Sequence, residues 1–516
     1  MKSTLGGLLH IPASPDARRF ALMIFLVGLS VEVSRAAQTT FFLQNVGADK
    51  LPLVFVCFAA VMVTMSSVYA YVARKVPLKS LAMMALALAT GATAMCWALI
   101  AAGFQNAVLA YALYCAVEMC FIFLPLTLWA VANQFFSAEE AAQTLPSVAA
   151  CGLLGALTGA MISRSVVSSI GPYNILPLAM LAYCVCLYLG SAIGPPPQQA
   201  ATVGSHRAPR PLMKEPVVAT LTFLALPMFL IAYVIEYMYY STIGQVFTSA
   251  TEMSQFISTF GVICAVFGVL AQLLLTPFLF RRLGIGTTAF VYPAALALGA
   301  MLSLVYALYD GYRSDGAAAP PMFLVMFVLA ARGLDIVLYQ SVYESTTNIL
   351  YYAVPVETRT RARSLVGGMM FPASVGFSGM MLMAFSYFNQ PLYNVAFTAV
   401  AVGFLVLVMA MDVRPDYLRS LLANGDETNH KAREALLAEI SLLSLNESRV
   451  LLLESLQTDR EDEAMFAVHK LLDTYDHFLL EDLQEIKARI QPNVMSALVN
   501  AMVERRIPEE DRLLLA

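Results

Sequence analysis

The segment YALYCAVEMCFIFLPL, residues 111–126, indicates the fold class because it is apolar throughout except for Glu118. No Lys or Arg occurs between Lys79 and Arg164. About 20 consecutive apolar residues are long enough to cross a bilayer as a helix. The segment therefore predicts a membrane-spanning helix that carries a carboxyl group in its interior.

The rest of the chain repeats this apolar pattern. Of its 516 residues, 59% are hydrophobic and only 13% are charged, which is more apolar surface than a soluble protein of this length can bury. An all-α protein is predicted, because lipid offers the backbone no hydrogen-bond partners and the period-two alternation of a barrel is missing. Twelve runs are long enough to span, at residues 20–44, 51–73, 79–102, 105–134, 142–164, 172–194, 217–247, 253–280, 286–309, 322–352, 364–388 and 391–411.

The connections between the spans carry positive charge unevenly, which predicts their orientation. With an even number of spans, both termini lie on one side of the membrane. The opposite side holds little beyond Lys50, Arg164 and Arg313. We therefore predict cytoplasmic N- and C-termini in a multi-pass protein of a bacterial cytoplasmic (inner) membrane. The basic residues of the predicted cytoplasmic side are Lys2, Arg18, Arg19, Arg74, Lys75, Lys79, Arg207, Arg210, Lys214, Arg281, Arg282, Arg359, Arg361, Arg363 and Arg414.

The longest internal connection divides the spans into two sets of six. It is rich in Pro and polar residues, GPPPQQAATVGSHRAPRPLMKEP at 194–216, and is typical of a flexible linker. Two six-helix halves joined by a cytoplasmic linker are the plan of the major facilitator transporters, in which the halves rock about a central site. The predicted units are a cytoplasmic N-terminus, a first bundle, a linker, a second bundle and a cytoplasmic domain, at residues 1–19, 20–194, 195–216, 217–412 and 413–516.

Ionisable residues occur well inside only four of the predicted spans. Charges at the bilayer centre cost at least about 2.5–3.5 kcal/mol each, so they are expected to face a water-filled cavity or one another. Spans 1, 4, 7 and 10 carry them, and these are the spans that line the central cavity in the major facilitator arrangement. The residues are Glu32 and Arg35 in span 1, Glu118 in span 4, Glu236 in span 7, and Arg332, Asp335 and Glu344 in span 10.

The spacing of these residues separates their expected roles. Glu32 and Arg35 are three residues apart, as are Arg332 and Asp335, so each pair shares a helix face and can form an internal ion pair. Glu118 and Glu236 have no neighbour in sequence to neutralise them, which makes them candidates for substrate contact or proton carriage. These six residues form the predicted substrate and coupling cavity. Glu344, near the cytoplasmic end of its span, is a gate or rim candidate.

Small residues indicate where spans pack closely. The stretch GLLGALTGAMIS, residues 152–163, carries Gly155 and Gly159 four residues apart, a close helix-packing pattern. The stretch VGGMMFPASVGFSGMM, residues 366–381, occupies the matching place in the second half.

Three stretches resemble the ATP/ADP carrier family of plastids and intracellular bacteria. They are VEMCFIFLPLTLWAVANQFFSAEEAAQTLPSVAACGLLGALTG at 117–159, YVIEYMYYSTIGQVF at 233–247 and VPVETRTRARSLVGGMMFP at 354–372. The resemblance consists of short patches spread over most of 20–412. It implies a major-facilitator-like fold and nucleotide exchange. By position, it also implies a transport role for Glu118 and Glu236.

The chain departs from that family where nucleotide phosphates would be bound. The family uses lysines on the second and eleventh spans, whereas Phe55 and Val375 align there, and no Lys lies inside any span. The ionisable residues in the middle of the predicted spans comprise two bases and four acids. A cavity that is acidic on balance is a poor host for a triphosphate. The residues therefore disfavour ATP as substrate, and nucleotide antiport is kept as an alternative.

From residue 413 the chain changes character. Residues 413–516 hold twenty acids and twelve Lys or Arg, a net charge of −8. Short segments with apolar spacings of three and four, from HKAREALLAEISLL to PNVMSALVNAMVERR, predict antiparallel helix pairs of HEAT-like type. Two interpretations remain open: a small helical bundle that stabilises the membrane part, or a docking module for a protein partner.

No catalytic or cofactor signature is present. The sequence has no GxSxG, HExxH or GxxxxGK[ST] motif, and its eight Cys show no metal spacing, so no enzyme, metal or cofactor is predicted. A nucleic-acid partner is not predicted either. The leading hypothesis is a secondary transporter of a small polar solute by alternating access, proton-coupled through buried carboxylates. A nucleotide antiporter and a non-transporting sensor or scaffold that recruits a partner through residues 413–516 are the alternatives.

Overall fold

The structure is a computed structural model. It describes residues 15–73, 75–135, 138–194, 212–312, 322–424 and 490–504, together with isolated positions between 453 and 487. Every regular element in these ranges is helical. The all-α prediction is therefore confirmed for the described part of the chain.

Six helices form the N-terminal half, and each corresponds to one predicted span. They are α1 Pro15–Asn45, α2 Leu51–Val72, α3 Leu78–Ala101, α4 Ala107–Phe135, α5 Ala138–Ile170 and α6 Leu176–Ser191.

The C-terminal half is built from more helices, several of which are short because three of its spans are interrupted. Spans 7, 9 and 12 are single helices, whereas spans 8, 10 and 11 each contain a π-helical turn, at Ala271–Leu275, Tyr339–Tyr343 and Val366–Met370. The helices are α7 Pro216–Val246, α8 Ala250–Leu270, α9 Thr276–Thr288, α10 Val291–Tyr312, α11 Met322–Leu338, α12 Glu344–Leu350, α13 Val356–Leu365, α14 Phe371–Tyr387 and α15 Leu392–Met411, followed by α16 Val413–Asn424 and α17 Pro492–Glu504.

Among the described residues, eleven helical stretches are long and apolar enough to cross a bilayer. The sixth predicted span is shorter, because α6 has 16 residues. Lys79, at the start of α3, donates to the carbonyl of Ile193 just after α6. Trp97, near the end of α3, donates from Nε1 to Asn174 Oδ1 just before α6, at 3.4 Å. The segment around α6 therefore runs antiparallel to the length of α3. That α6 forms a twelfth crossing stays a prediction.

The close packing predicted from small residues is confirmed between α1 and α5. A Cβ atom placed on Gly155 would overlap the carbonyl oxygen of Phe25, and one placed on Gly159 would lie 2.5 Å from that of Leu29. The two helices thus touch backbone to backbone, which only glycine permits. Span 11 packs in the same way against span 2, where a Cβ on Gly379 would lie 2.6 Å from the Pro52 carbonyl oxygen.

The two halves contact each other at one end of the bundle and in its middle. Gln44, at the end of α1, donates from Nε2 to the Thr248 carbonyl after α7, at 3.1 Å. A Cβ on Gly261 of α8 would lie 3.6 Å from Ala160 Cβ on α5. The contacts between the halves therefore extend from the end opposite to the start of α1 to the middle of the bundle.

The helix that follows the last span packs against the start of the second half. The backbone N–H of Val217 donates to Ser420 Oγ at 3.2 Å, and the Thr220 hydroxyl donates to Asp416. Helix α17 coincides with the last segment predicted for the acidic domain. The other predicted tail segments, most of the N-terminus and residues 195–211 of the linker lie outside the described residues, so the HEAT-like pairing stays a prediction.

Candidate functional site

Four spans bring the six predicted cavity residues into the interior of the bundle. Helices α1, α4, α7 and α11 supply them, and these correspond to spans 1, 4, 7 and 10 as expected from the sequence. Glu118 and Glu236 are each 8% exposed, and Asp335 is 5% exposed. None of these three carboxylates points outward to where lipid would lie.

In the N-terminal half, Arg35 lies between two carboxylates. It donates to Glu118 from Nε to Oε1 and from Nη2 to Oε2, both at 3.4 Å. Gln38 donates from Nε2 to Glu118 Oε1 at 3.1 Å. The contact from Arg35 to Glu32 on its own helix is a longer ion pair of 3.6 Å. The guanidinium also stacks 4.2 Å from the ring centroid of Phe121, which holds it in place.

The C-terminal half repeats this arrangement with shorter distances. Arg332 Nη2 donates to Glu236 Oε2 at 2.8 Å, and Arg332 Nη1 donates to Asp335 Oδ2 at 2.5 Å. Tyr292, from span 9, donates its hydroxyl to Asp335 Oδ1 at 2.8 Å. Each half therefore contains one arginine between two carboxylates, one on the same helix and one on the facing helix.

The two clusters form one group of buried ionisable side chains between the halves, and we call this group of six residues the chamber. Tyr114 on α4 donates its hydroxyl to Glu236 Oε1 on α7 at 3.3 Å, which is a direct bond between the halves. Glu236 also interacts electrostatically with Glu118 and Arg35 of the opposite half. The sequence suggested that Glu118 and Glu236 lack a neutralising neighbour. In the folded chain each has one, because the arginine comes from another helix.

Charge balance is the main electrostatic property of this chamber. Two arginines face four carboxylates, so the six side chains carry a formal charge of −2 when all are ionised. Each half therefore has one carboxylate more than its arginine can neutralise. In a site of low dielectric, such an excess is compensated by a bound proton or a bound cation.

Glu344 lies apart from the six-residue chamber. It begins α12 directly after the π-helical turn of span 10, its side chain is exposed, and it has no ion-pair partner among the described residues. Its role as a gate or rim residue stays a prediction. Within the described ranges, no group of three or more His, Cys, Asp or Glu side chains is placed to hold a metal ion.

Sequence reasoning missed several residues that hold the carboxylates. Gln38 and Tyr114 carry a weak signal, because they lie three residues from Arg35 and four residues from Glu118 on the same helix faces. Tyr292 carries none, since it belongs to span 9, which has no ionisable residue in its interior. Only the packing of span 9 against span 10 places this hydroxyl beside Asp335.

The bond between the halves leads to a first prediction. Tyr114→Phe removes the hydroxyl that donates to Glu236 and leaves the ring in place. We expect a loss of about 1.5–3 kcal/mol in the free energy of unfolding, as for other hydrogen bonds to charged groups. Denaturant unfolding of the purified protein measures this loss. Tyr387→Phe, at an 80% exposed position, is the control and should have no effect. Equal stability of the two variants would contradict the bond.

No protein-family model matches the sequence, and a search of curated proteins finds no match. Solved structures do match. The nucleoside transporter NupG aligns with TM-score 0.52 and 12% identity, covering 78% of this chain and 99% of that one. A POT family transporter in complex with 5-aminolevulinic acid aligns with TM-score 0.52 and 11% identity, covering 76% and 96%. A mutant of the peptide transporter POT in complex with alafosfalin aligns with TM-score 0.53 and 12% identity, covering 80% and 99%.

At these identities the likeness concerns the fold. The chain is a multi-pass integral membrane protein with a major-facilitator-like fold. The resemblance to the ATP/ADP carrier family is not supported by any of these matches. The predicted major-facilitator-like fold is confirmed, whereas the division into two six-span bundles at the predicted boundaries stays a prediction.

Proposed function

We propose that this protein is a secondary transporter that moves a small polar solute by alternating access and couples its movement to protons. One observation carries the proposal: the chamber between the halves holds four carboxylates and only two arginines. The solute and the protons both bind at this excess of negative charge. Rocking of the two halves exposes the chamber to each side of the membrane in turn.

Glu32 is the carboxylate best placed to exchange a proton. Glu118, Glu236 and Asp335 each accept at least two hydrogen bonds, whereas Glu32 accepts none from the described residues. Its one ion pair, to Arg35, is the longest in the chamber at 3.6 Å. A proton can bind Glu32 without displacing any hydrogen-bond donor. The groups that face it are Arg35, Glu118 on α4 and Cys264 on α8.

The position of Glu32 also couples it to movement of the halves. A Cβ atom on Gly261 of α8 would lie 3.8 Å from Glu32 Oε2. Helix α8 belongs to the opposite half, and its contact with α1 and α5 has to break when the halves rock. Protonation of Glu32 changes the charge at this contact, and so changes the relative stability of the two arrangements.

Nucleotide exchange is the weaker candidate. It rests on the resemblance to the ATP/ADP carrier family, whose phosphate-binding lysines align with Phe55 and Val375. Both of these residues are fully buried in packing between helices. An acidic chamber without lysine repels a phosphate chain, so we rank this alternative below a neutral or cationic solute. A scaffold that recruits a partner through residues 413–516 would need no solute at all.

Glu32→Gln gives the second prediction and the test of this function. The full-length protein is reconstituted into liposomes that contain a pH-sensitive dye. We first test which solute raises the melting temperature of the protein. One representative of each solute class is used, namely uridine, dialanine, glucose, choline and ADP. An imposed gradient of the stabilising solute should drive proton flux in the unaltered protein. We expect Glu32→Gln to lose this flux, because Gln cannot exchange a proton.

The control is Glu252→Gln, at an exposed position near the start of α8. Its proton flux should match that of the unaltered protein. Full proton flux in Glu32→Gln would remove Glu32 from the mechanism. A shift in melting temperature with ADP alone would favour nucleotide exchange. No shift with any solute, together with a partner that co-purifies through residues 413–516, would favour the scaffold.

A further inference from the structure

A second feature of the chamber consists of aromatic rings rather than charges. Phe229 and Tyr233 on span 7, Tyr339 and Tyr343 on span 10, and Phe371 on span 11 contact one another, and we name these five residues the aromatic wall. Phe229 lies at the centre, with ring centroids 6.1 Å from Tyr339, 5.8 Å from Tyr343 and 5.0 Å from Phe371. Tyr233 lies 6.0 Å from Phe371.

Two of the three π-helical turns create this wall. Tyr339 and Tyr343 begin and end the turn of span 10, and their rings stack at 5.4 Å with an interplanar angle of 22°. Phe371 directly follows the turn of span 11. Isolated π-helical turns occur frequently at functional sites.

The wall is accessible and has unused hydrogen-bonding groups. Tyr233, Tyr339, Tyr343 and Phe371 are half-buried, whereas Phe229 behind them is buried. The hydroxyls of Tyr233 and Tyr339 make no hydrogen bond to any residue that the structure describes. Both hydroxyls can therefore bind a solute.

The wall adjoins the carboxylates directly. Tyr233 lies three residues before Glu236 on α7, and Tyr339 lies four residues after Asp335 on span 10. The Tyr233 phenol interacts electrostatically with Glu118 and Glu236 and with both arginines. Tyr233 also packs against Phe55 of the opposite half at 5.1 Å. The wall and the two ionic clusters thus border the same chamber.

We propose that the transported solute is an organic cation with an aromatic or other apolar group, bound by the aromatic wall beside Glu236. The proposal rests on the transport function proposed above. An ammonium group is attracted both by the excess carboxylate and by the faces of Tyr rings. The apolar group packs against the same rings. An aromatic anion would contact the rings but would not be attracted by the carboxylates. A neutral aromatic molecule would contact the rings without any charge interaction.

The experiment compares four probes on the purified full-length protein by isothermal titration calorimetry. Benzyltrimethylammonium carries both a ring and a positive charge. Tetramethylammonium carries only the charge, benzyl alcohol only the ring, and benzylphosphonate a ring with negative charge. We expect benzyltrimethylammonium to bind at least about tenfold more tightly than each of the other three.

Two variants locate the site. Tyr339→Leu removes one ring of the stacked pair. It should lower the affinity for benzyltrimethylammonium roughly tenfold and leave the affinity for tetramethylammonium unchanged. Glu236→Gln should lower the affinity for both cations and leave the affinity for benzyl alcohol unchanged. Tyr387→Leu, at an 80% exposed position of span 11, is the control and should change nothing. Melting temperatures of all variants show whether each remains folded.

Three results would overturn the proposal. The first is equal affinity for benzyl alcohol and benzyltrimethylammonium, and the second is unchanged binding in Tyr339→Leu. The third is a solute of another class that drives proton flux while no cation binds. In that third case the transport function stands and only the cation site is wrong. If neither proton flux nor binding of any solute is found, both proposals fail.

Discussion

Replacing Arg332 with Met is expected to lower the free energy of unfolding by about 3–5 kcal/mol. Arg332 donates to Glu236 and Asp335, whose side chains are 10% and 6% exposed. Met fills a similar volume and carries no charge, so both carboxylates would be left buried without their cation. Unfolding of the detergent-purified protein, followed by tryptophan fluorescence, measures the loss.

The chain offers a matched control for this variant. Arg419 forms an ion pair with Asp416 at the same three-residue spacing on α16, and its side chain is 57% exposed. Because exposed pairs contribute about 0–1 kcal/mol, Arg419→Met should be nearly neutral. Adding Glu236→Gln and Asp335→Asn to Arg332→Met should restore part of the stability, since the unpaired charges are then removed. Equal effects of the two Met variants would show that Arg332 is not a buried partner of both carboxylates.

Replacing Gly155 with Leu is expected to prevent correct packing of the N-terminal half. Any Cβ atom at this position overlaps the carbonyl oxygen of Phe25, and a backbone atom cannot move aside as a side chain can. Overpacking by one or two carbons typically costs about 1–3 kcal/mol, and a leucine against backbone should cost at least this much. We expect little monodisperse protein in size-exclusion chromatography and a markedly lower melting temperature.

Gly91→Leu is the control for this variant. Gly91 also lies inside an apolar helix, α3, but a Cβ atom there would have no other atom within 4 Å. This substitution should leave yield and melting temperature close to those of the unaltered protein. If Gly155→Leu behaved like Gly91→Leu, the backbone contact between α1 and α5 would not exist in the folded protein.

The proposals describe one exchange reaction at the chamber. Each arginine neutralises one carboxylate, and the remaining negative charge is available to a proton or to a cationic solute. A proton on Glu32 lowers the net negative charge that attracts a cation beside Glu236, so each ligand weakens the binding of the other, which is the condition for coupled exchange. The bond from Tyr114 to Glu236 and the contact of Glu32 with α8 connect the binding of a proton or a solute to the interface of the halves.

The helical architecture could be predicted from the sequence, because the cost of placing a residue in lipid depends on that residue and its immediate neighbours. The apolar runs located the eleven helical stretches of the described residues that are long enough to cross a bilayer, and the remaining run corresponds to the 16-residue α6. The cost of placing a charge in lipid also predicted which spans line the chamber. Charges at Glu118 and Glu236 can be tolerated only where the helix faces the interior.

Which arginine neutralises which carboxylate follows from the three-dimensional packing of the helices and could not be predicted from the sequence. Arg35 bonds to Glu118 across 83 residues, and Arg332 bonds to Glu236 across 96 residues. Such partners depend on the rotation and axial position of each helix, and these are set by packing contacts such as that of Gly155 with Phe25. The weakly held Glu32, the Tyr292 hydroxyl on Asp335 and the aromatic wall follow from the same packing. No local pattern encodes them, because each combines residues from helices that are distant in the chain.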